Sequence, residues 1–108
     1  MTTKILIMIS TIVIGLLSQT VYAESAYDEK LEFAGSLEET LGHFWAIEKN
    51  LDENNAQLAL VHATHPISEL YDMMKPELTE HDSDFDIIVQ ETLMNLGEKT
   101  GSDVTRED

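Results

Sequence analysis

From Phe33 to Leu96, apolar residues return every three or four positions, and the strict alternation of a strand is absent. That spacing lines one face of successive helices and predicts an all-α chain. Phe33, Leu37, Leu41, Phe44, Ile47 and Leu51 make the first stripe. Its helix starts at Tyr27 or at Ser36, where Ser36-Leu-Glu-Glu39 reads as a capping box with Glu39 reaching back to the Ser36 N–H. Gly35 either breaks this segment or is carried through it. Asp52-Glu-Asn-Asn55 is a short polar turn, and Asn54 or Asn55 caps the next helix.

The second stripe is Ala56, Ala59, Leu60, Ala63, Ile67, Leu70 and Met74. It stays in phase across Pro66, so residues 56–74 read as one kinked helix or two nearly collinear ones. The proline has no N–H for the carbonyl of residue 62, which is freed. Residues 75–81, with Pro76, form the second connection. A third helix spans residues 84–99, with Phe85, Ile88, Val89, Thr92, Leu93 and Leu96 inward, Asp82 or Ser83 as its cap, and Gly97 and Gly101 marking its end. The polar residues 100–108 are expected to be a disordered tail, or a linker within a longer protein. Short turns make successive helices antiparallel neighbours. The expected fold is a three- to four-helix antiparallel bundle, the fourth piece being residues 27–34. Its apolar stripes, Trp45 and the tyrosines are read as packing.

The first 23 residues obey different rules. Lys4 is the only charge before Glu24, and residues 5–17 are an apolar core, succeeded by a polar stretch and Val21-Tyr22-Ala23. A basic start, a short apolar core and small residues before the cut describe a secretory signal peptide. The core is shorter than the roughly 20 residues of a membrane span. The bundle domain is therefore expected over residues 24–99, extracytoplasmic, secreted or at the cell surface. An uncut segment would instead tether it to the membrane.

Composition narrows the setting. An 85-residue mature chain is one small domain, with a modest core that metal, oligomerisation or good helix packing must support. There is no cysteine, so no disulfide helps. All 21 acidic residues and five of the six basic ones lie beyond residue 23, so the mature chain carries −16. Such a field repels nucleic acid and anionic membranes and concentrates cations. No nucleophile stands at a useful spacing from a base, and there is no glycine-rich phosphate loop, so an enzyme is not expected.

One segment stands out chemically: His62-Ala-Thr-His65-Pro-Ile-Ser-Glu69. At about 100° per residue, His62, His65, Glu69 and Met73 fall within roughly 80° of one another. Imidazole and carboxylate suit iron, zinc or copper, and a thioether leans toward copper. On the first helix His43 shares a face with Glu39 and Asn50. Glu48 sits on the apolar face, where an unpaired buried carboxylate costs several kcal/mol. The metal reading gathers His62, His65, Glu69, Glu48 and His43 in the bundle core. The alternative is that Glu48 reaches water or bonds a histidine with no metal present. His81-Asp-Ser-Asp-Phe-Asp86 begins like a calcium loop, but Ile87 replaces the required glycine and Leu93 the closing acid, so it reads as a helix-capping turn.

The blocks Gly42-His-Phe-Trp-Ala-Ile-Glu-Lys-Asn-Leu51 and Leu58-Ala-Leu-Val-His-Ala-Thr-His-Pro-Ile-Ser-Glu-Leu-Tyr71 resemble a helical domain of exported proteins from ammonia-oxidising archaea. More distantly the arrangement resembles the extracytoplasmic helical domains joined to high-affinity iron permeases. The first resemblance, over residues 35–97, implies an exported, archaeal helical domain. The second implies capture or delivery of a metal. The function expected is thus an extracytoplasmic metal-binding domain that holds or delivers iron or copper. The rival is a structural or interaction module, metal-free, docking on a membrane complex or cell-surface layer; separately, a homo-oligomer is among the expected partners.

Overall fold

The computed structural model describes the backbone of residues 2–101 and 103–108, and the side chains of residues 22–101 and 103–108. The expected signal peptide, residues 1–23, falls almost wholly outside the residues whose side chains are described. The chain divides into two compact units, Met1–Lys30 and Leu31–Asp108. Among the described residues there is no strand, and no helix is long and apolar enough to cross a membrane. The fold is all-α. Helix α1 spans Thr2–Asp52, α2 Ala56–His65, α3 Tyr71–His81 and α4 Ser83–Lys99, with a π-helical turn at Pro66–Leu70 joining α2 to α3.

Local chemistry sets most of the boundaries. Asn54 takes a left-handed φ of 57°, which asparagine tolerates, and reverses the chain. Asn55 then caps α2, its side chain accepting from the Leu58 N–H at 3.2 Å. Asp82 is extended and caps α4, accepting from the N–H groups of Asp84 and Phe85. Two expected boundaries are not used. Ser36 is no cap but a buried residue within α1, because residues 24–34 are good helix formers that carry the helix past Gly35. The expected connection at residues 75–81 is helical. Pro76 lies on the exposed side of α3, where water can serve the carbonyl it frees.

In the second unit α1 and α4 run the same way, and α2, the π turn and α3 return between them. Phe33 shares a concavity with Phe85 at one end, and Leu51 with Leu96 at the other. Two clusters form the core. Ile47, Ala59 and Ala63 are buried with Leu51 and Leu96 against them. Leu70, Tyr71, Met74, Leu78 and Leu93 form the larger one, joined by Phe33, Ile67, Met73 and Val89. Ala59 and Ala63 are fully buried, and a Cβ added to Gly97 would lie 3.4 Å from Thr64 Cγ2 and 3.5 Å from the Ala63 carbonyl. Gly97 is therefore a close-approach residue inside α4 rather than the mark of its end.

The acidic turn is structural. Tyr71 Oη donates to Asp86 Oδ1 at 2.7 Å in the core, and the Thr79 hydroxyl adds a 3.3 Å bond to Oδ2. Burial, then Asp86, pushes the Tyr71 phenol up to about 12. Beyond Lys99 the polar segment makes contacts with the bundle. Thr100 is buried and bonds back to the Leu96 carbonyl, and Arg106 pairs with Glu48 and with Asp52 at 3.2 Å.

This packing has consequences for stability. Gly35 and Gly42 have open space around an added Cβ. Alanine at either should raise stability by about 0.5–1 kcal/mol, while Ala63→Leu should lower it by about 1–3 kcal/mol, both read from thermal melts. Tyr71→Phe should cost about 1–3 kcal/mol, since buried Asp86 loses its main donor. Between pH 10 and about 12 an unfolded Tyr71 releases a proton that the folded protein keeps. Native stability therefore falls as pH rises through that window, and Tyr71→Phe should flatten this alkaline fall in denaturant midpoints.

Candidate metal centre

The contact of Ile47 with Ala59 and Ala63 fixes how α2 faces α1. His62 precedes Ala63 and His65 lies two residues beyond it, while His43 lies one turn before Ile47 on the oppositely directed helix. All three imidazoles are half-buried and meet at this crossing. His43 Nδ1 and His62 Nδ1 are 2.9 Å apart. The His43 and His65 rings are 4.4 Å apart between centroids, tilted by 34°.

Two carboxylates complete the cluster. Glu39, one turn before His43, lies 3.8 Å from His65 Nε2. Glu69, one turn after His65, lies 3.5 Å from its Nδ1. The two acids thus address opposite edges of one ring. Ligand atoms of Glu39, His43 and His65 all lie within 4.8 Å of one another. Two nitrogens bound to one ion at right angles, each about 2.0–2.1 Å from it, would be roughly 2.9 Å apart. The His43–His62 pair has that spacing, which serves a neutral hydrogen bond equally well. Glu39 is exposed, so its side chain has the freedom to close the remaining distance.

Burial first, then the neighbouring His65 and His62, hold the His43 imidazole below its ordinary 6.5, against an upward pull from Glu39 and Glu69. A depressed imidazole is neutral near pH 7, the form that binds a metal.

Of the residues the sequence nominates, His43, His62, His65 and Glu69 converge, and Glu48 does not. Glu48 lies about 140° around α1 from His43. Its carboxylate is half-exposed and paired with Arg106, beside Leu51, Thr92 and Leu96. It needs neither burial nor a metal, because the returning chain supplies a cation. Met73, on the histidine stripe by spacing, packs instead against the larger core cluster. The residue not nominated is Glu39. Its spacing of four from His43 is the available signal.

Comparison with family models, curated proteins and solved structures gives no match for this chain. In metal-free protein, NMR titration should place His43 below pH 6.5, and His65→Ala should move that titration upward by removing a neighbouring positive charge.

Proposed function

We propose that this chain is an extracytoplasmic helical metal-binding domain that holds or delivers iron or copper. The observation that carries the reading is the convergence of three imidazoles and two carboxylates from α1, α2 and the π turn at one crossing. Nitrogen and oxygen donors without sulfur suit Fe(II), Fe(III) or Cu(II) better than Cu(I). His43, His65 and Glu39 are the proposed ligands, with His62 as a fourth on the His43 side. Glu69 has a different part. Its carboxylate lies 3.5 Å from His65 Nδ1, placed to take the N–H on that edge of the ring, while Nε2 faces Glu39 and would face the ion. A carboxylate in that position orients an imidazole and raises its basicity.

Half-exposed ligands fit a site that exchanges its ion, and nothing in the cluster provides a nucleophile. The strongly acidic chain, at −15 overall, raises the local concentration of cations around it. An exported setting, read from residues 1–23, and the likeness of residues 42–51 and 58–71 to archaeal exported domains and iron-permease domains belong to the same proposal.

Titration of the protein with Cu(II), and with Fe(II) under anaerobic conditions, should give one equivalent bound at micromolar concentration or below. His62→Ala/His65→Ala should abolish it. Glu69→Gln should weaken affinity about 10–100-fold without changing stoichiometry, and Glu48→Gln should leave it unchanged. Full stoichiometry in the double histidine variant, or no binding by the wild-type protein, would overturn the assignment.

A further inference from the structure

The opposite flank of α1 carries a second feature. The middle of the stripe expected to be core is not buried: Leu37 is 42% exposed, Leu41 56% and Phe44 36%, and Trp45 beside them is 64% exposed. Their neighbours across the gap on α4, Phe85 and Ile88, are 50% and 57% exposed. Between the two helices lies an open apolar groove floored by Thr40, Val89, Thr92 and Leu93. The helices on either side run parallel, with only the α2–α3 arm behind them. Among the described residues, one lengthwise position of a four-helix bundle is therefore unfilled.

The charge around the groove says what fits. Glu38 on α1, and Asp84 and Glu91 on α4, are exposed on the outward edges beside the apolar positions. At the far end Arg106 is already engaged by Glu48 and Asp52. A second copy would bring another −15 and the same acidic edges, and like charges facing one another oppose that pairing. A cationic helix meets the opposite condition on both edges.

We propose that the α1–α4 groove binds a basic amphipathic helix of a partner protein. The partner would lay its apolar face on Leu37, Leu41, Phe44, Phe85 and Ile88 and its lysines or arginines along Glu38, Asp84 and Glu91. The groove runs from Leu37 to Phe44 on α1, which takes a helix of about two turns. It shares no side chain with the histidine cluster.

Trp45 is the only tryptophan and directly follows Phe44 of the groove wall on α1, so a helix seated against that wall changes its surroundings. The full chain is titrated with a tryptophan-free Lys/Leu amphipathic helical peptide, with the same composition scrambled to destroy the apolar face, and with a Glu/Leu counterpart. The expected result is a blue shift of Trp45 emission with the first peptide only, weakening as salt is raised. Ile88→Glu should weaken binding at least tenfold, as should Glu38→Lys/Glu91→Lys. Met94→Glu, on the other side of α4, should bind as the wild type does. Circular dichroism establishes that each variant is folded. Equal binding of the scrambled peptide would reduce the effect to bulk charge and overturn the proposal. So would absence of binding, or binding indifferent to Ile88→Glu. A concentration-dependent dimer in sedimentation, abolished by Ile88→Glu, would give the groove to a second copy and overturn it equally.

Discussion

The contact on which the rest of the bundle depends is the one made by its smallest side chains. Ala59 and Ala63 are fully buried, with Ile47 of α1 on one side and Leu96 and Gly97 of α4 on the other. Only residues without a γ-carbon allow three helices to approach one line this closely. Once Ala63 faces that seam, the rotation of α2 about its own axis is fixed. His62 and His65 must then emerge beside it, toward the α1 turn that precedes Ile47. The histidine cluster is thus a geometric consequence of where the alanines are.

The same seam determines which side of α1 turns inward. With Ile47 held there, the inward line is Phe33, Ser36, Thr40 and Ile47, with His43 at its edge. Ser36 and Thr40 are tolerable because the Thr40 hydroxyl donates to the Ser36 carbonyl at 2.8 Å, so that its burial leaves no unpaired donor. The apolar line of Leu37, Leu41 and Phe44 is displaced by a fraction of a turn toward α4, where no further helix among the described residues covers it.

Much of this is legible in the sequence, for identifiable reasons. The helical period, the caps at Asn55 and Asp82, and the shared face of His62, His65 and Glu69 rest on chemistry within a few residues of chain, and the structure reproduces them. The features that are not legible depend on distant partners. The outward turn of the middle of the α1 stripe depends on how α1 and α4 lie against the α2–α3 arm, which no local spacing encodes. Glu48 reads as a core ligand by its place on that stripe, and its true partner is Arg106, 58 residues away. Pro76 reads as a break, yet a proline on an exposed helix face costs less than one in the interior. The π turn after Pro66 is invisible to a wheel drawn at a constant 100°. It brings the adjacent residues Leu70 and Tyr71 both into the core and leaves Met73 against that core rather than with the histidines.

Helix α1 carries its two features on opposite flanks, and the rotation of that helix is the variable they share. Turning α1 to bury Leu37 and Leu41 would cover apolar surface at about 25 cal/mol per Å². It would also swing His43 away from His62 and expose the line now held by Ile47. Turning it the other way would open the groove further and crowd the imidazoles. The observed rotation is a balance between an apolar stripe left partly in water and a polar cluster held at hydrogen-bonding distance. An ion bound by Glu39, His43 and His65 would favour this rotation, since only here do donors from both helices meet. A helix seated on Leu37, Phe44 and Ile88 would favour it too, by removing the penalty of leaving them exposed. Two ligands that stabilise one conformation assist each other without touching, and by equal amounts in both directions. The physical link between the proposed metal centre and the proposed docking groove is therefore the angle at which α1 rests on Ala59 and Ala63.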